Sequence, residues 1–173
     1  MTMRCFIAID VPEDISDKLK ELQKKFENLA SITFPKIFHL TLKFLGEISE
    51  EQIEEVRNSL RKVKFKPFNL ELTEIGSFPD DKRINVLWIG VEPADKVIEL
   101  QEEIEQNLNG FARDLRFHPH ITIGRVKFVK DKEGIKRLLK RKVEGKFRAE
   151  NFRLIKSELM PEGPKYTNLG VYS

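Results

Sequence analysis

Apolar residues recur along this chain in two rhythms, and the order of those rhythms occurs twice. Residues 4–10, RCFIAID, form a short apolar run that reads as a strand. Just after Pro12, Ile15, Leu19, Leu22, Phe26 and Leu29 recur at alternating spacings of four and three, the stripe of an amphipathic helix. A strand follows in HLTLKFL, from His39. Ser49-Glu50-Glu51-Gln52 has the form of a capping box, and Ile53, Val56, Leu60 and Val63 continue it as a second helix. Phe68, Leu70 and Leu72 alternate as a strand, and GSFPDDKR reads as a loop leading to the strand NVLWIGV at 85–91. From there the order begins again. Val97, Leu100, Ile104, Leu108 and Phe111 mark a helix, HITI at 120–123 a strand, and a weaker basic helix is expected over about 131–142. Strands are expected within 146–159.

His39 and His120 stand 81 positions apart, and sliding the chain by that amount sets 85–91 on 4–10 and Pro93 on Pro12. It also pairs Leu100 with Leu19, Thr122 with Thr41 and Ile123 with Leu42. A diverged duplication of a strand–helix–strand–helix–strand unit accounts for this order. The expected fold is α+β: one bilobal domain over 1–173, with halves of about 1–84 and 85–173. Two pseudo-twofold lobes with mainly antiparallel sheets would flank a central cleft.

Composition narrows the class. At 173 residues, 40% hydrophobic and 34% charged, the chain reads as a globular domain with a sizeable core. The apolar run Phe6–Ile9 is too short for a membrane span or a signal peptide, so a cytoplasmic location without membrane attachment is expected. A single cysteine, Cys5, excludes an intrachain disulfide and a cysteine-rich zinc site. The formal net charge of +3 is mild. The segment from Lys127 to Arg148, however, is heavily basic: either a phosphate-attracting patch or a solvated helix face.

Candidate chemistry rests on the two histidine frames. Alternate side chains of a strand share a face. His39, Thr41 and Lys43 therefore take one side, with Leu40, Leu42 and Phe44 on the core side. His120 and Thr122 likewise lie opposite Ile121 and Ile123. One such frame is a common strand feature. Two, in equivalent places of a repeat, point to a shared site. Three histidines, with His118 added, could supply the nitrogens of a catalytic zinc. The repeated threonines argue against it, because a metal site would want a carboxylate or thiolate there. Acid–base chemistry fits better: one neutral imidazole accepts a proton while a charged one donates. Two rings on opposite walls suit in-line displacement at phosphorus, with threonine hydroxyls donating to the non-bridging oxygens. His118 has no counterpart in the first half and reads as an outer or structural residue. A non-catalytic RNA-binding module is the alternative from another class, although no RNP-type glycine–aromatic signature is present.

HLTL at 39–42 and HITI at 120–123 resemble the paired motifs of the two-histidine phosphoesterase superfamily. Within it, RCFIAID, GSFPDDKRINVLWIGV and KSELMPEGPKYTNL are similar to segments of the RNA 2′,3′-cyclic phosphodiesterases, also called 2′-5′ RNA ligases. The resemblance implies metal-independent, cofactor-free hydrolysis of an RNA terminal 2′,3′-cyclic phosphate to a 2′-phosphomonoester, in RNA (including tRNA) processing. Ligase activity would be the reverse of the same displacement. It implies His39 and His120 as the acid–base pair and Thr41 and Thr122 as phosphate ligands. Arg125, Ser157 and Tyr166 match further substrate-binding positions. Strict alternation puts Arg125 on the core side, so an irregularity at Gly124 is needed to turn it inward; a surface ion pair is its competing reading. The partner implied is RNA with a cyclic phosphate end. A monomer without an obligate protein partner is expected. An enzyme for a small cyclic nucleotide or a 2′-5′ linkage would carry the same motifs.

Overall fold

The computed structural model describes all 173 residues. Its elements, in chain order, are β1 (Thr2–Asp10), α1 (Glu13–Lys24), β2 (Ala30–Thr33), β3 (His39–Ser49), α2 (Glu50–Leu60), β4 (Phe68–Pro79) and β5 (Ile84–Glu92). They continue with α3 (Ala94–Asn107), β6 (His120–Val129), α4 (Lys132–Leu138), β7 (Lys146–Ala149), β8 (Phe152–Met160) and β9 (Gly163–Tyr172). No helix is long and apolar enough to cross a membrane.

All paired strands are antiparallel, in the order β7-β4-β5-β6-β3-β1-β8-β9, with β2 on the far part of β6. The two groups meet only where β3 touches β6, through the single residue pair Leu40↔Ile121. These are equivalent positions of the repeat, so the pseudo-twofold axis passes between them. The halves also exchange strands: β4 of the first half pairs with β5 of the second, and β8 of the second pairs with β1 of the first. One face of the sheet carries Ile7, Ile9, Leu40, Leu42, Leu87, Ile89, Ile121 and Ile123, which join buried residues of all four helices in one continuous apolar core. The other face is left to the cleft.

Local signals behave as physical chemistry predicts. The Ser49 side chain accepts from the Gln52 amide, and the Gln52 side chain accepts from the Ser49 amide, closing the capping box of α2. Other expectations are corrected. GSFP belongs to β4, not to a loop, because residues 76–79 pair with 84–88 of β5. α1 stops at Lys24; Phe26 and Leu29 follow in turns closed by i→i−3 bonds, with Phe26 still buried. The basic helix is shorter than expected, at 7 residues, and ends at Leu138. Beyond Leu138 the chain is captured by β4, whose Ile75 bonds Lys140 and Arg141 and whose Thr73 carbonyl accepts from Val143. Lys140 makes the turn at φ 68°. Neither β2 nor β9 was anticipated, because both are mostly half-exposed and lack sustained alternation.

The strand alignment of the repeat also shifts by one. Asp10 pairs with His39 and Gly90 with His120, so β1 and β5 correspond at an offset of 80 while the histidines keep 81. Both histidine strands then bulge at matching places: Leu42 is skipped between Thr41↔Ala8 and Lys43↔Ile7, and Ile123 between Thr122↔Trp88 and Gly124↔Leu87. A bulge shifts the parity of every later residue in its strand. Lys43 therefore turns into the core and Phe44 out of it, at 66% exposure, reversing the expectation for both. Arg125 is turned outward by an irregularity placed at Ile123 rather than at Gly124.

Leu40 is fully buried at the junction between the strand groups. Leu40→Ala should cost about 2–5 kcal/mol of unfolding free energy. A urea melt should show a lower midpoint with an unchanged slope.

Candidate active site

Antiparallel pairing at Leu40↔Ile121 sets Thr41 across from His120 and His39 across from Thr122, all on the face opposite the core. Ideal sheet geometry makes the two histidines diagonal neighbours, with Cα atoms roughly 7–8 Å apart. The sequence-predicted quartet is thus brought together by two strands and one bridge.

Each imidazole rests in its own aromatic setting. His39 lies edge-on to Tyr166 of β9, with centroids 4.8 Å apart, and to Phe6 of β1 at 5.2 Å. His120 lies edge-on to Phe78 of β4 at 4.9 Å. Trp88 of β5 sits 4.9 Å from His118, and the two histidines of the second half are 6.1 Å apart. Trp88 can lie flat over β4 because Gly76, its cross-strand partner, has no side chain; a Cβ there would come within 2.2 Å of the indole.

Burial pushes both imidazoles below their ordinary value, but the charges around them differ. At His39 burial is opposed by Asp10, whose Oδ1 stands 3.8 Å from Nε2. The other oxygen of Asp10 pairs with Arg153 Nε at 3.1 Å. At His120 burial is opposed by the hydrogen bond from Nδ1 to the His118 carbonyl, 2.6 Å long, and reinforced by the charges of His118 and Arg125. Donation from Nδ1 leaves Nε2 as the basic nitrogen of the neutral ring. His118 thus bonds His120 through its backbone carbonyl, while its own ring lies tilted at 57° to Trp88. No three His, Cys, Asp or Glu side chains converge as a ligand set for a metal ion.

Arg125 reaches the field of the opposite wall. Its charge, with that of Arg4, opposes the burial that raises the Tyr166 phenol. Ser157 pairs with Tyr166 on one side and Arg4 on the other, on a strand separated by β1 from the strand of His39. A cavity of about 550 Å³ opens beside His120 and Thr41, bordered by Phe44, Phe78, Arg113 and Arg116. Arg113 and Arg116 lie in the irregular 108–119 segment; the apolar spacing carries the expected helix on through Leu108 and Phe111, whereas α3 ends at Asn107. The basic run offers less than its composition promised: Arg141 and Lys142 line a separate hollow of about 320 Å³ against Lys18 of α1 and Lys25 just beyond it. Asp10 was also missed. Its signal is parity, since it follows Phe6 and Ala8 at two-residue steps on the cleft face of β1.

Fold and cleft first define a class: a duplicated α+β protein whose halves each bring one histidine and one threonine to a common site. The chain belongs to the LigT-like phosphoesterase family, whose model matches it twice, over residues 9–88 and 89–166. It is 36% identical over 170 residues to the RNA 2′,3′-cyclic phosphodiesterase of Methanocaldococcus jannaschii, covering 95% of this chain and 96% of that protein. The Archaeoglobus fulgidus protein of the same name is 34% identical over 175 residues, covering 98% and 99%. Among solved structures, a Thermus thermophilus protein superposes with a TM-score of 0.83 at 30% identity, covering 99% of this chain and 97% of that one. E. coli LigT complexed with 3′-AMP superposes with a TM-score of 0.79 at 25% identity, covering 99% and 97%.

Trp88 is the one tryptophan of the chain and a built-in reporter of this site. Gly76→Ala should displace its ring, shift its fluorescence emission and destabilise the fold by about 1–3 kcal/mol. Unchanged emission would show that the close approach does not hold the indole.

Proposed function

We propose that this protein hydrolyses the 2′,3′-cyclic phosphate at an RNA end to a 2′-phosphomonoester, with His39 and His120 as an acid–base pair and no metal ion. The observation that carries the reading is the juxtaposition at Leu40↔Ile121, which gives each histidine the other half's threonine as its cross-strand neighbour. The names of its relatives and the 3′-AMP complex of E. coli LigT support a nucleotide phosphate as occupant.

Water attacks phosphorus on the His120 side, giving its proton to Nε2 of the neutral ring. The P–O3′ bond breaks, and O3′ takes a proton from His39. The products are a 3′-hydroxyl and a 2′-phosphate. Thr41 and Thr122 donate hydrogen bonds to the non-bridging oxygens, and Arg125, with Tyr166 and Ser157 opposite, helps hold the anion. Charge assigns the roles. The phosphodiester anion favours a proton on one ring, and the Asp10 carboxylate favours His39 for it, while burial and the charge of Arg125 favour the neutral form of His120. With an RNA 5′-hydroxyl in place of water as nucleophile, the same displacement breaks the P–O3′ bond and forms a 2′-5′ linkage.

Product analysis on a short RNA ending in a 2′,3′-cyclic phosphate tests this directly. His39→Ala and His120→Ala should each cut turnover by at least about 10²–10⁴-fold while the protein stays folded, with wild-type activity persisting in EDTA. Near-wild-type turnover in either variant, or salt-sensitive RNA binding without product from the wild type, would end the reading.

Asp10→Asn separates acid from base. Removing the carboxylate lowers the His39 value further, so the protonated fraction of His39 is lost at lower pH. With His39 as acid, the alkaline limb of the kcat/KM profile moves to lower pH; movement of the acidic limb instead would reverse the assignment.

A further inference from the structure

Two buried polar side chains near the ends of corresponding helices are not accounted for by the chemistry above. Gln23 on α1 is 8% exposed. Its Nε2 donates to the Pro35 carbonyl at 2.9 Å and to the Ile123 carbonyl at 3.0 Å. Pro35 lies in the segment leading into His39, and Ile123 is the bulged residue of the strand carrying His120. Glu105 on α3 has a side chain 3% exposed and pairs with the equally buried Lys43. Its Oε2 accepts from the Asp114 amide at 3.3 Å, while Lys43 Nζ donates to the Ala112 carbonyl at 2.7 Å. Ala112 and Asp114 lie in the segment leading into His120, and Lys43 follows the bulged residue of the strand carrying His39.

The two arrangements have the same logic. In each half, the first helix ties down the segment before its own histidine and reaches across to the other histidine's strand at its bulge. Backbone packing agrees, since α1 contacts β6 and α3 contacts β3. The strands themselves share one bridge, Leu40↔Ile121, and part beyond it. Apolar side chains at that seam would stabilise it without defining how far the strands slide, whereas hydrogen bonds and ion pairs are directional. Burying a Lys–Glu pair also brings a desolvation penalty that an apolar pair of the same volume avoids. Stability alone therefore gives little reason for these groups.

We propose that Gln23 and the Lys43–Glu105 pair are positioning residues that set the spacing of His39 and His120 across the pseudo-twofold axis. The inference rests on the paired-histidine reading of the site. It predicts that removing a pin slows the chemical step more than it weakens substrate binding, because both rings stay in the cleft but lose their common register with phosphorus.

Two volume-matched changes test it: Gln23→Met, which deletes two hydrogen bonds without opening a cavity, and the double variant Lys43→Met/Glu105→Leu, which leaves no unpaired buried charge. On cyclic-phosphate RNA, well below each variant's Tm, kcat should fall tenfold or more while KM changes less than threefold. The NMR titration curves of His39 and His120 should shift as well. Should the double variant fail to fold, Gln23→Met alone decides. A kcat within twofold of wild type and unchanged titrations would overturn the inference even if Tm falls. Were the wild type inactive on the RNA, the reading of the site would fail on that count, and the histidine titrations would still judge the pins.

Discussion

The bridge between Leu40 and Ile121 joins two apolar residues, and its constraint is steric before it is chemical. Both side chains are fully buried in the core shared by the four helices. In an antiparallel pair their neighbours must therefore appear on the opposite face. Those neighbours are His39, Thr41, His120 and Thr122. Had the strands slipped by one residue, the quartet would have entered the core and four apolar side chains would have faced water. The hydrophobic effect thus holds the polar site in register, and the site inherits its precision from the core behind it.

Just past that point the paired bulges at Leu42 and Ile123 release the strands from strict alternation. Their equivalent outward positions are filled differently, by Phe44 and by Arg125. Asp10 likewise faces His39 where the second half has Gly90. A nearly symmetric backbone therefore carries an asymmetric field, with a carboxylate beside one imidazole and a guanidinium toward the other. In the proposed hydrolysis that inequality divides the roles of acid and base between two otherwise equivalent rings. The cavity on the His120 side, edged by Arg113 and Arg116, places two further guanidinium groups on that side.

Exchange of β4 and β8 between the halves gives the duplication its mechanical unity. Each strand group contains strands from both halves of the chain, so neither half completes its sheet without the other. The buried contacts of Gln23 and of Lys43 with Glu105 cross the same seam. What would otherwise be a hinge between repeats is spanned by core packing, strand exchange and directed polar contacts.

Much of this was legible in the residues themselves. The doubled order of elements, the capping box at Ser49 and the shared face of each His/Thr pair follow from periodicity and local hydrogen bonding, which act over a few residues. Resemblance in HLTL and HITI pointed to the chemistry, and Arg125 carried its own requirement for a backbone irregularity. The capture of residues 140–145 by β4, the location of the bulges and the burial of Lys43 against Glu105 were not legible. Each depends on partners at least dozens of positions away, to which local spacing is blind. The same holds for Asp10 at His39 and for the arginines of the 108–119 segment. The chain by itself determined which side chains must turn away from the core; only tertiary packing decided which of them meet, because register between distant strands is set by the whole core at once.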